Sequence, residues 1–574
     1  MWTTEGRKVD VNAPLQEYPT PQFRRDSFIC LNGPWRFQID EKPDNHSYYP
    51  NQIIVPFAVE TPLSGVQHRV KPGEILHYKK VFTLPEGFNT GRVLLHFEAV
   101  DQVCDVYLNG VHIAHHEGGY LPFTIDCLEL ARGKNELLVD VTDDTSSPIY
   151  PRGKQSLNPS GIWYEGTSGI WGSVWIESTP KAVIQSLRIM PLFDEKKVLV
   201  AVNFEGRVTS SRAEVSIEGK VIGTASLNEK NYCVIDVSSF WREWTPDHPF
   251  LYDLKVRVNE DEVNSYFAMR KFEVVEYNGH KVFGLNGKPY FLSALLDQGY
   301  WPDGGLTAPS DKAIVNDLLM VKEMGFNSLR KHIKIESMRW YYHCDRLGII
   351  VLQDFVNGGA KYKMRYLTLA PFFSLKVNDE TKYESLGRIH RDGRRIFEEE
   401  MPKAVDRLYN VPSIAIWTLF NEGWGQFESR RLTAKLRELD QTRLIDSTSG
   451  WFDQGAGDFL SRHIYFRKIR LNEARGRILA LTEFGGYVNR ISDHSYKNKN
   501  IFYKSVKDLG KALTDLYEKE VYPCLKIGLS ICVYTQLSDV EQEANGLVTY
   551  DRKVVKVEYK TMKSINQQLK FRGV

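Results

Sequence analysis

The sequence has no long apolar run, no excess of one charge and no closely spaced cysteine pairs, and each absence argues against a class of protein. No stretch of 18 apolar residues occurs, so a membrane-spanning helix is not expected. Lys and Arg number 74 against 72 Asp and Glu, a balance that argues against a dedicated nucleic-acid binder. The seven cysteines show no Cys-x-x-Cys or Cys/His ligand spacing, so we expect buried free thiols and neither a disulfide framework nor a zinc site.

Length and composition describe a globular protein of several domains. The chain has 574 residues, enough for about three or four domains. Hydrophobic residues make up 42% and charged residues 25%, which are ordinary values for a folded protein. The first residues lack the apolar core of a signal peptide, so we expect a cytoplasmic protein, although a chain whose signal had been removed would look the same.

The first part of the chain has the pattern of antiparallel β-structure. In residues 1–180, short alternating segments such as 92–97 are separated by turn residues. Asn109 and Gly110 lie between two of these segments and are a strong hairpin signal. Residues 181–273 show the same pattern of short alternating strands over a shorter stretch. We therefore predict a β-sandwich at 1–180 and an immunoglobulin-like sandwich at 181–273.

From residue 274 onward, strands alternate with helices. Ser310 is the expected N-cap of a helix that Gly325 ends. Residues 349–352 form a strand that is apolar on both faces, as in a parallel sheet. The expected strands are 290–294, 326–329, 349–352, 414–417, 444–445, 459–465, 478–481 and 527–531. Their number and spacing predict a (β/α)8 barrel over 274–574.

Two glutamates follow strands of this predicted barrel. Glu422 follows the fourth strand and Glu483 the seventh. Polar residues at the carboxyl ends of barrel strands face the active site. One glutamate there is usually a solvated loop residue, but two carboxylates facing one cavity are the apparatus of glycoside hydrolysis. One protonates the leaving oxygen and the other attacks the anomeric carbon, and their proximity helps to raise one of the two pKa values.

Over essentially its full length the sequence resembles glycoside hydrolase family 2, the group of β-galactosidases, β-glucuronidases and β-mannosidases. The segments that carry the resemblance are 31–35, 106–110, 167–175, 412–422 and 482–485. It implies that residues 1–180 form a sugar-binding jelly-roll domain. It also implies that Glu422 is the general acid/base and Glu483 the nucleophile of a retaining mechanism, which requires carboxyl groups about 5 to 5.5 Å apart.

The resemblance extends to side chains around the two glutamates. It implies that Asn421 bonds the sugar 2-hydroxyl group, that the charge of Arg330 keeps Glu483 ionised, and that Tyr465 donates to the nucleophile. Other residues near the strand ends are candidate substrate contacts, with loop or packing roles as the alternatives. These residues are His463, Asp297, Trp301, Asp354 and Trp424.

Two departures from the family pattern bear on the metal and the sugar. Asp297-Gln298 stands where many relatives have a His-Glu pair, so the glutamate that helps to hold magnesium in large β-galactosidases is missing, and no metal or cofactor is expected. Glucuronidases carry an Asn-x-Lys motif for the substrate carboxylate, but residues 541–548 contain no Lys and two Glu that would repel an acid sugar. This disfavours a β-glucuronidase unless Lys497 and Lys499 substitute.

The expected function is an exo-acting retaining β-glycosidase for terminal neutral sugars, most like a β-galactosidase. Gln536 closes the last strand where relatives often have Trp, so the −1 sugar stays open, and β-glucuronidase, galactofuranosidase and arabinosidase are alternatives. A carbohydrate-binding protein on a decayed scaffold is the competing class, which the intact Glu422 and Glu483 disfavour. An oligosaccharide or glycoside is the expected partner, with a homo-oligomer by analogy alone.

Overall fold

A computed structural model describes residues 1–42, 46, 48–127, 133–363, 366, 377–496 and 506–571. Antiparallel sheets come first along the chain, and an eight-stranded parallel sheet follows. The predicted multidomain class, two sandwiches and then a barrel, is confirmed. Lys497 and Lys499 lie outside the described residues. Within the described ranges, no helix combines the length and the apolar character needed to cross a bilayer.

The first sandwich consists of a four-stranded sheet (β1-β12-β5-β9), a six-stranded sheet (β3-β2-β4-β10-β7-β8) and a short pair (β11-β6). Its strands are β1 Ile29–Cys30, β2 Gly33–Asp40, β3 Asn51–Val55, β4 Ile75–Thr83, β5 Arg92–Phe97, β6 Val100–Asp101, β7 Val103–Leu108, β8 Val111–Glu117, β9 Phe123–Asp126, β10 Lys134–Thr142, β11 Gly169–Ile170 and β12 Val174–Thr179. The predicted Asn-Gly turn joins β7 to β8, with φ of 53° at Asn109 and 84° at Gly110. Positive φ at both residues is what this hairpin turn requires.

The second sandwich packs a three-stranded sheet (β13-β14-β17) against a four-stranded sheet (β16-β15-β18-β19). Its strands are β13 Val183–Leu192, β14 Lys197–Glu205, β15 Ser211–Ile217, β16 Lys220–Ala225, β17 Tyr232–Asp236, β18 Tyr252–Val258 and β19 Asp261–Phe267. Alternate residues of β18 are buried, which is the pattern of a strand with one face on the core.

A small antiparallel sheet leads into the barrel and covers its amino-terminal end. It comprises β20 Phe272–Tyr277, β21 His280–Leu285 and β22 Lys288–Pro289. Phe283 packs with residues near the starts of barrel strands, and its N–H donates to Ser530 Oγ at 2.8 Å. The opposite end of the barrel is therefore the end at which a substrate site can open.

The barrel sheet has eight parallel strands in the order β27-β26-β25-β24-β23-β30-β29-β28. The strands are β23 Leu292–Asp297, β24 Ser328–Lys331, β25 Ile350–Asp354, β26 Ile414–Asn421, β27 Leu444–Ser449, β28 Phe459–Ile464, β29 Ile478–Gly485 and β30 Leu529–Thr535. Residues on both faces of β26 are buried, as expected for a strand between a filled interior and a layer of helices.

The described α-helices outside the sheets are α1 Asp311–Glu323, α2 Met338–Leu347, α3 Arg391–Leu408, α4 Ser429–Leu439, α5 Leu509–Leu516 and α6 Tyr559–Gln567. Short 3-10 helices occupy Gly6–Lys8, Pro62–Ser64, Ser238–Phe240, Tyr383–Leu386 and Tyr522–Ile527, and Tyr517–Val521 is a π-helical turn. The predicted N-cap is confirmed, because Ser310 Oγ accepts from the N–H of Ala313.

Some barrel boundaries differ from the predicted ones. The first strand was expected at 290–294 and the last at 527–531, whereas β23 and β30 both extend further toward their carboxyl ends. The predicted ranges followed apolar runs, but these strands continue into polar residues such as Asp297 and Thr535. Those residues lie at the end of the barrel that carries the site.

Candidate active site

Glu422 and Glu483 lie together at the carboxyl end of the barrel. Glu422 directly follows β26, with φ of 50°, and its N–H donates to the carbonyl of Ser449 at 2.9 Å. Glu483 lies within β29. A carboxylate oxygen of each glutamate and a ring nitrogen of His463 all lie within 4.8 Å of one another. This spacing suits a nucleophile and an acid acting on one bond, since an inverting pair needs about 6.5 to 9.5 Å to admit water.

Glu483 is held by two donors, one on each carboxylate oxygen. Arg330 Nη1 donates to Oε1 at 2.9 Å, and Tyr465 Oη donates to Oε2 at 2.5 Å. Tyr465 Oη also lies 2.8 Å from Thr535 Oγ1. Burial raises the pKa of Glu483, while the Arg330 charge and the Tyr465 hydrogen bond act to lower it. Both donors therefore favour the ionised form that a nucleophile needs.

Glu422 has a different environment and contacts His463. Its Oε1 lies 2.8 Å from His463 Nδ1, and the other ring nitrogen lies 3.0 Å from Ser449 Oγ. Burial and then the charge of Glu483 raise the pKa of Glu422 well above its usual range. Burial and the Arg330 charge lower the pKa of His463 well below its usual range. The site thus favours a protonated Glu422 beside a neutral imidazole, which suits a general acid.

Arg330 links Glu483 to the strands beside it. It is fully buried, and its Nε and Nη2 bind the two oxygens of Asp354 at 3.0 and 2.9 Å. Nη2 also donates to Asn421 Oδ1 at 2.8 Å. Asp354 therefore lies against the guanidinium with both oxygens bonded, and it orients Arg330. Its predicted contact with sugar hydroxyl groups stays a prediction.

Several buried polar atoms at this end of the barrel have no hydrogen-bond partner among the described residues. They are Gln298 Nε2, Asn421 Nδ2, Trp424 Nε1, Gln536 Oε1 and Asn545 Nδ2. All five residues end a barrel strand or follow one. Buried polar atoms in folded proteins are nearly always paired. The described residues hold such atoms elsewhere too, as at Gln38 and Trp175, but these five lie at the end of the barrel that carries the glutamates and can bond a polar ligand there.

Two predicted site residues belong to other networks. Asp297 accepts from Lys331 Nζ at 2.6 Å and from the N–H of Gly299 at 2.9 Å; burial opposes ionisation, but the Lys331 charge leaves its pKa below the usual value. The Trp301 ring packs under the Arg552 guanidinium at 4.2 Å and lines a shallow pocket beside helix α1. The structure does not bring Trp301 into the cluster around the glutamates.

The aromatic rings next to Glu422 come from more than one part of the fold. Trp424 is buried, and its ring centroid lies 5.2 Å from that of Trp163 and 6.1 Å from that of Tyr362. Trp163 belongs to the segment between β10 and β12 of the first sandwich. The first sandwich therefore reaches the barrel opening.

Lys154 and His332 are two further residues that sequence reasoning missed. His332 Nε2 lies 3.6 Å from Glu483 Oε1, and His332 Nδ1 lies 2.8 Å from Gln298 Oε1. Lys154 comes from the first sandwich and binds Glu543 after the last barrel strand at 3.0 Å. The position of His332, two residues after Arg330 at a strand end, was an available signal. Lys154 had none.

Two groups of described residues place three His, Asp or Glu ligand atoms close enough to hold a metal ion. One is Glu422, His463 and Glu483, the same groups that form the candidate catalytic centre; the other is His46, His77 and Asp140 on the first sandwich. The expectation that no metal is required stays a prediction.

Family models match two parts of the chain and together cover more than half of it. The model "Glycosyl hydrolases family 2, TIM barrel domain" matches residues 279–525, and "Glycosyl hydrolase 2 galactose-binding domain-like" matches residues 69–159. These ranges fall on the barrel and on the first sandwich.

Curated relatives include β-galactosidases and β-glucuronidases. A β-galactosidase of Thermoanaerobacterium thermosulfurigenes is 26% identical over 445 residues, which are 72% of this chain and 57% of the relative. A β-glucuronidase of Mus musculus is 23% identical over 62% of this chain and 56% of the relative. The chain spans about half the length of the curated relatives it matches.

Solved structures with the same fold cover nearly the whole chain. A β-D-glucuronidase from Dictyoglomus thermophilum has a TM-score of 0.75 and 18% identity, covering 96% of this chain and 99% of that one. A β-galacturonidase from Eisenbergiella tayi, bound to galacturonate, has a TM-score of 0.71 and 18% identity, covering 96% and 98%. At this identity the likeness concerns the fold alone. The two family models, on a barrel preceded by sandwich sheets, show that the chain belongs to glycoside hydrolase family 2.

Proposed function

We propose that the protein is an exo-acting retaining β-glycosidase that hydrolyses terminal neutral sugars, with a β-galactosidase-like substrate. One observation carries the proposal. Carboxylate oxygens of Glu422 and Glu483 lie within 4.8 Å of each other in a buried site, and the partners of the two groups act on their pKa values in opposite directions. Donors on Glu483 favour its carboxylate form, whereas Glu422 contacts a neutral histidine and the charge of Glu483. Two carboxyl groups in environments that separate their pKa values have the roles of nucleophile and acid.

The proposed reaction has two displacement steps. The carboxylate of Glu483 attacks the anomeric carbon while the carboxylic acid of Glu422 gives its proton to the departing glycosidic oxygen, which yields a glycosyl ester and a free alcohol. The carboxylate of Glu422 then takes a proton from a water molecule whose oxygen attacks the same carbon. The ester bond breaks, and both glutamates return to their starting forms. Arg330 and Tyr465 stabilise Glu483 whenever it carries charge.

A neutral sugar suits the charges in this pocket. The two basic side chains that act on both glutamates, Arg330 and Lys154, are already paired, with Asp354 and Glu543 respectively. A substrate carboxylate would have to compete with these partners. The unpartnered atoms at this end of the barrel belong instead to amide groups, an indole and the imidazole of His332, whose pKa burial lowers, and such neutral groups suit hydroxyl groups.

A β-glucuronidase is the second candidate. The buried ammonium group of Lys154 is the observation that favours it, because a substrate carboxylate that displaced Glu543 would find a cation there. Relatives of comparable similarity are named β-glucuronidase, so the comparisons support both activities.

Hydrolysis of aryl glycosides tests the proposal directly. The panel consists of β-galactoside, β-glucuronide, β-glucoside, β-mannoside, β-galactofuranoside and α-L-arabinosides, with Glu483→Gln as the blank. Glu399→Gln makes the same chemical change at an exposed position on α3 and is the matched control. We expect the β-galactoside to be cleaved fastest by the unaltered protein and by the control. Turnover that survives in Glu483→Gln would contradict the mechanism, and a faster β-glucuronide would select the second candidate.

A further inference from the structure

The first sandwich contributes a loop that is bonded directly to the catalytic end of the barrel. The N–H groups of Arg152 and Gly153 both donate to the carbonyl of Asn357, at 3.0 and 2.9 Å. The side chain of Asn357 in turn accepts from the N–H of Asn421 at 3.0 Å, one residue before Glu422. Gly153 has φ of 61°, and a Cβ there would lie 3.1 Å from a barrel carbonyl, so glycine allows this approach. The loop is therefore positioned relative to the catalytic strand by a short chain of hydrogen bonds.

Lys154, the next residue of this loop, places a buried ammonium group against the barrel. Its Nζ lies 3.0 Å from Glu543 Oε2 and 3.1 Å from Tyr164 Oη, and Tyr164 donates to the same carboxylate oxygen. Lys154 is 5% exposed and Glu543 1% exposed. An ammonium group has three N–H donors, and the described residues account for two of them here. Both bonds to the carboxylate fall on Oε2, so Oε1 has no partner among the described residues.

Neighbouring residues place this group beside the catalytic pair. Trp163, next to Tyr164, packs on Trp424, which lies two residues after Glu422. The positive charge of Lys154 lowers the pKa of both catalytic glutamates, and the negative charge of Glu543 raises that of Glu422. On the barrel side, the carbonyl of Asn545, two residues after Glu543, accepts from the N–H of Gln536, which directly follows the last barrel strand.

A buried ion pair is an expensive way to hold two domains together. Removing two charges from water is costly, and apolar residues of similar volume are often as stabilising or more so. Lys154 and Glu543 also present one unused donor beside one unused acceptor, and one polar group of a ligand can bond to both.

We propose that Lys154 and Glu543 together bind one hydroxyl group of the −1 sugar, which donates to Glu543 Oε1 and accepts from Lys154 Nζ. This inference rests on the proposed glycosidase function and deepens it. The N-terminal region is then part of the substrate site, and Lys154 and Glu543 determine specificity. A hydroxyl group uses both partners, whereas a carboxylate at the same place meets the charge of Glu543. The substrate class is therefore a neutral sugar with a free hydroxyl group at this position.

Singly deoxygenated substrates test the contact. The rate constant kcat/KM is measured for an aryl glycoside that the protein cleaves and for analogues that each lack one hydroxyl group, on the unaltered protein and on Lys154→Met/Glu543→Gln. The double variant removes both charges, so neither is left buried and unpaired. In the unaltered protein, loss of the bound hydroxyl group should cost roughly 10- to 100-fold. In the double variant the same loss should cost less than about 3-fold, with the other analogues unchanged.

The proposal is overturned if every deoxy analogue loses the same factor in both proteins. The variant Arg25→Met/Asp261→Asn/Glu177→Gln removes another buried group of paired charges, between the two sandwiches, and should keep the discrimination of the unaltered protein. If the double variant does not fold, Glu543→Gln alone gives a second readout. Its ratio of β-glucuronide to β-galactoside turnover should rise about 10-fold or more, because repulsion of a carboxylate is gone, and an unchanged ratio overturns the proposal. If the unaltered protein cleaves no glycoside, it is the proposed function that fails.

Discussion

The two ends of the barrel each hold a fully buried arginine, and the two arginines have different kinds of partner. At the substrate end, Arg330 binds the side chains of Asp354, Glu483 and Asn421. The amide nitrogen of Asn421 next to it has no partner among the described residues. The guanidinium of Arg330 therefore finds its hydrogen-bond partners within the protein, whereas a polar atom beside it does not.

At the other end, Arg443 precedes strand β27 and binds mainly backbone. Its guanidinium donates at 2.7 to 3.0 Å to three carbonyl groups and to one carboxylate, which belong to Tyr409, Val411, Ile414 and Asp440. Asp440 Oδ2 also accepts from Trp417 Nε1 at 2.9 Å. These bonds join the segment before β26 to the start of β27, so Arg443 closes a loop that carries no reactive group.

The difference separates stability from function within one fold. A buried charge that is bonded mainly to backbone carbonyl groups holds segments of the chain together. A buried charge that is bonded to side chains at the open end of the barrel orients those side chains for a ligand. Variants at the open end should therefore lose activity and keep their stability, whereas variants at the other end should lose stability and keep their activity.

The largest expected effect is that of Glu483→Gln on turnover. Loss of the nucleophile should lower kcat by roughly 10^4-fold or more on every glycoside. The protein should remain folded, because the amide oxygen of Gln still accepts from Arg330 and Tyr465. Steady-state rates and a denaturation curve on the same sample check this. A variant that unfolds as readily as one at Arg443 would break the comparison.

Glu422→Ala should lose less and should be rescued chemically. Without the acid, kcat on substrates with poor leaving groups should fall roughly 10^2- to 10^4-fold. Added azide should restore turnover of the glycosyl-enzyme, since it needs no proton removal to attack. The measurement is the rate against azide concentration, with the unaltered protein as the control. An absence of any azide effect would argue against the acid/base role of Glu422.

Arg443→Met should affect the opposite property. The variant leaves Asp440 charged and three carbonyl groups without a donor, so the free energy of unfolding should fall by about 3 to 5 kcal/mol. Activity per folded molecule should change little. Arg431→Met, at an exposed ion pair with Glu398, is the matched control and should cost under about 1 kcal/mol. Denaturant midpoints and specific activities of both variants decide the matter.

Tyr465→Phe should give the smallest effect, a shift in the pH profile. The lost hydrogen bond favoured the carboxylate of Glu483, so its pKa rises further. Activity requires this group ionised, so the acidic limb of kcat/KM should move to higher pH, while the alkaline limb, set by Glu422, moves less. The same change at Tyr522, which donates to the carbonyl of Ile565, should leave both limbs in place. An acidic limb that stays put would show that Tyr465 does not act on the nucleophile.

The barrel and its two glutamates were predictable because their signals are local. Strands such as β26 are apolar on both faces, and each glutamate comes at the end of such a run. Strand ends also indicated Asp297 and Asp354 correctly as residues at the open end. The pattern could not show that their oxygens are already bonded to Lys331 and Arg330. A position at the end of a strand tells at which end of the barrel a side chain lies, but it does not identify the side chain that it contacts.

Long-range packing explains what the sequence did not indicate. Lys154 and Glu543 are 389 positions apart, and no local pattern links a sandwich loop to a barrel loop. Trp301 follows a strand, as a sugar-stacking residue would, but its ring packs with Arg552. In both cases the partner is chosen by how separate regions dock.

The loop from the first sandwich has a consequence for how such proteins can be recombined. A boundary drawn between sandwich and barrel would pass between Lys154 and Glu543, and between Gly153 and Asn357. Exchange of the amino-terminal module with that of a relative would then exchange one half of a substrate contact. Chimaeras should retain their selectivity only when the segment around Lys154 and the loop around Glu543 come from the same parent. The two contacting segments therefore have to be exchanged together, although they belong to different domains.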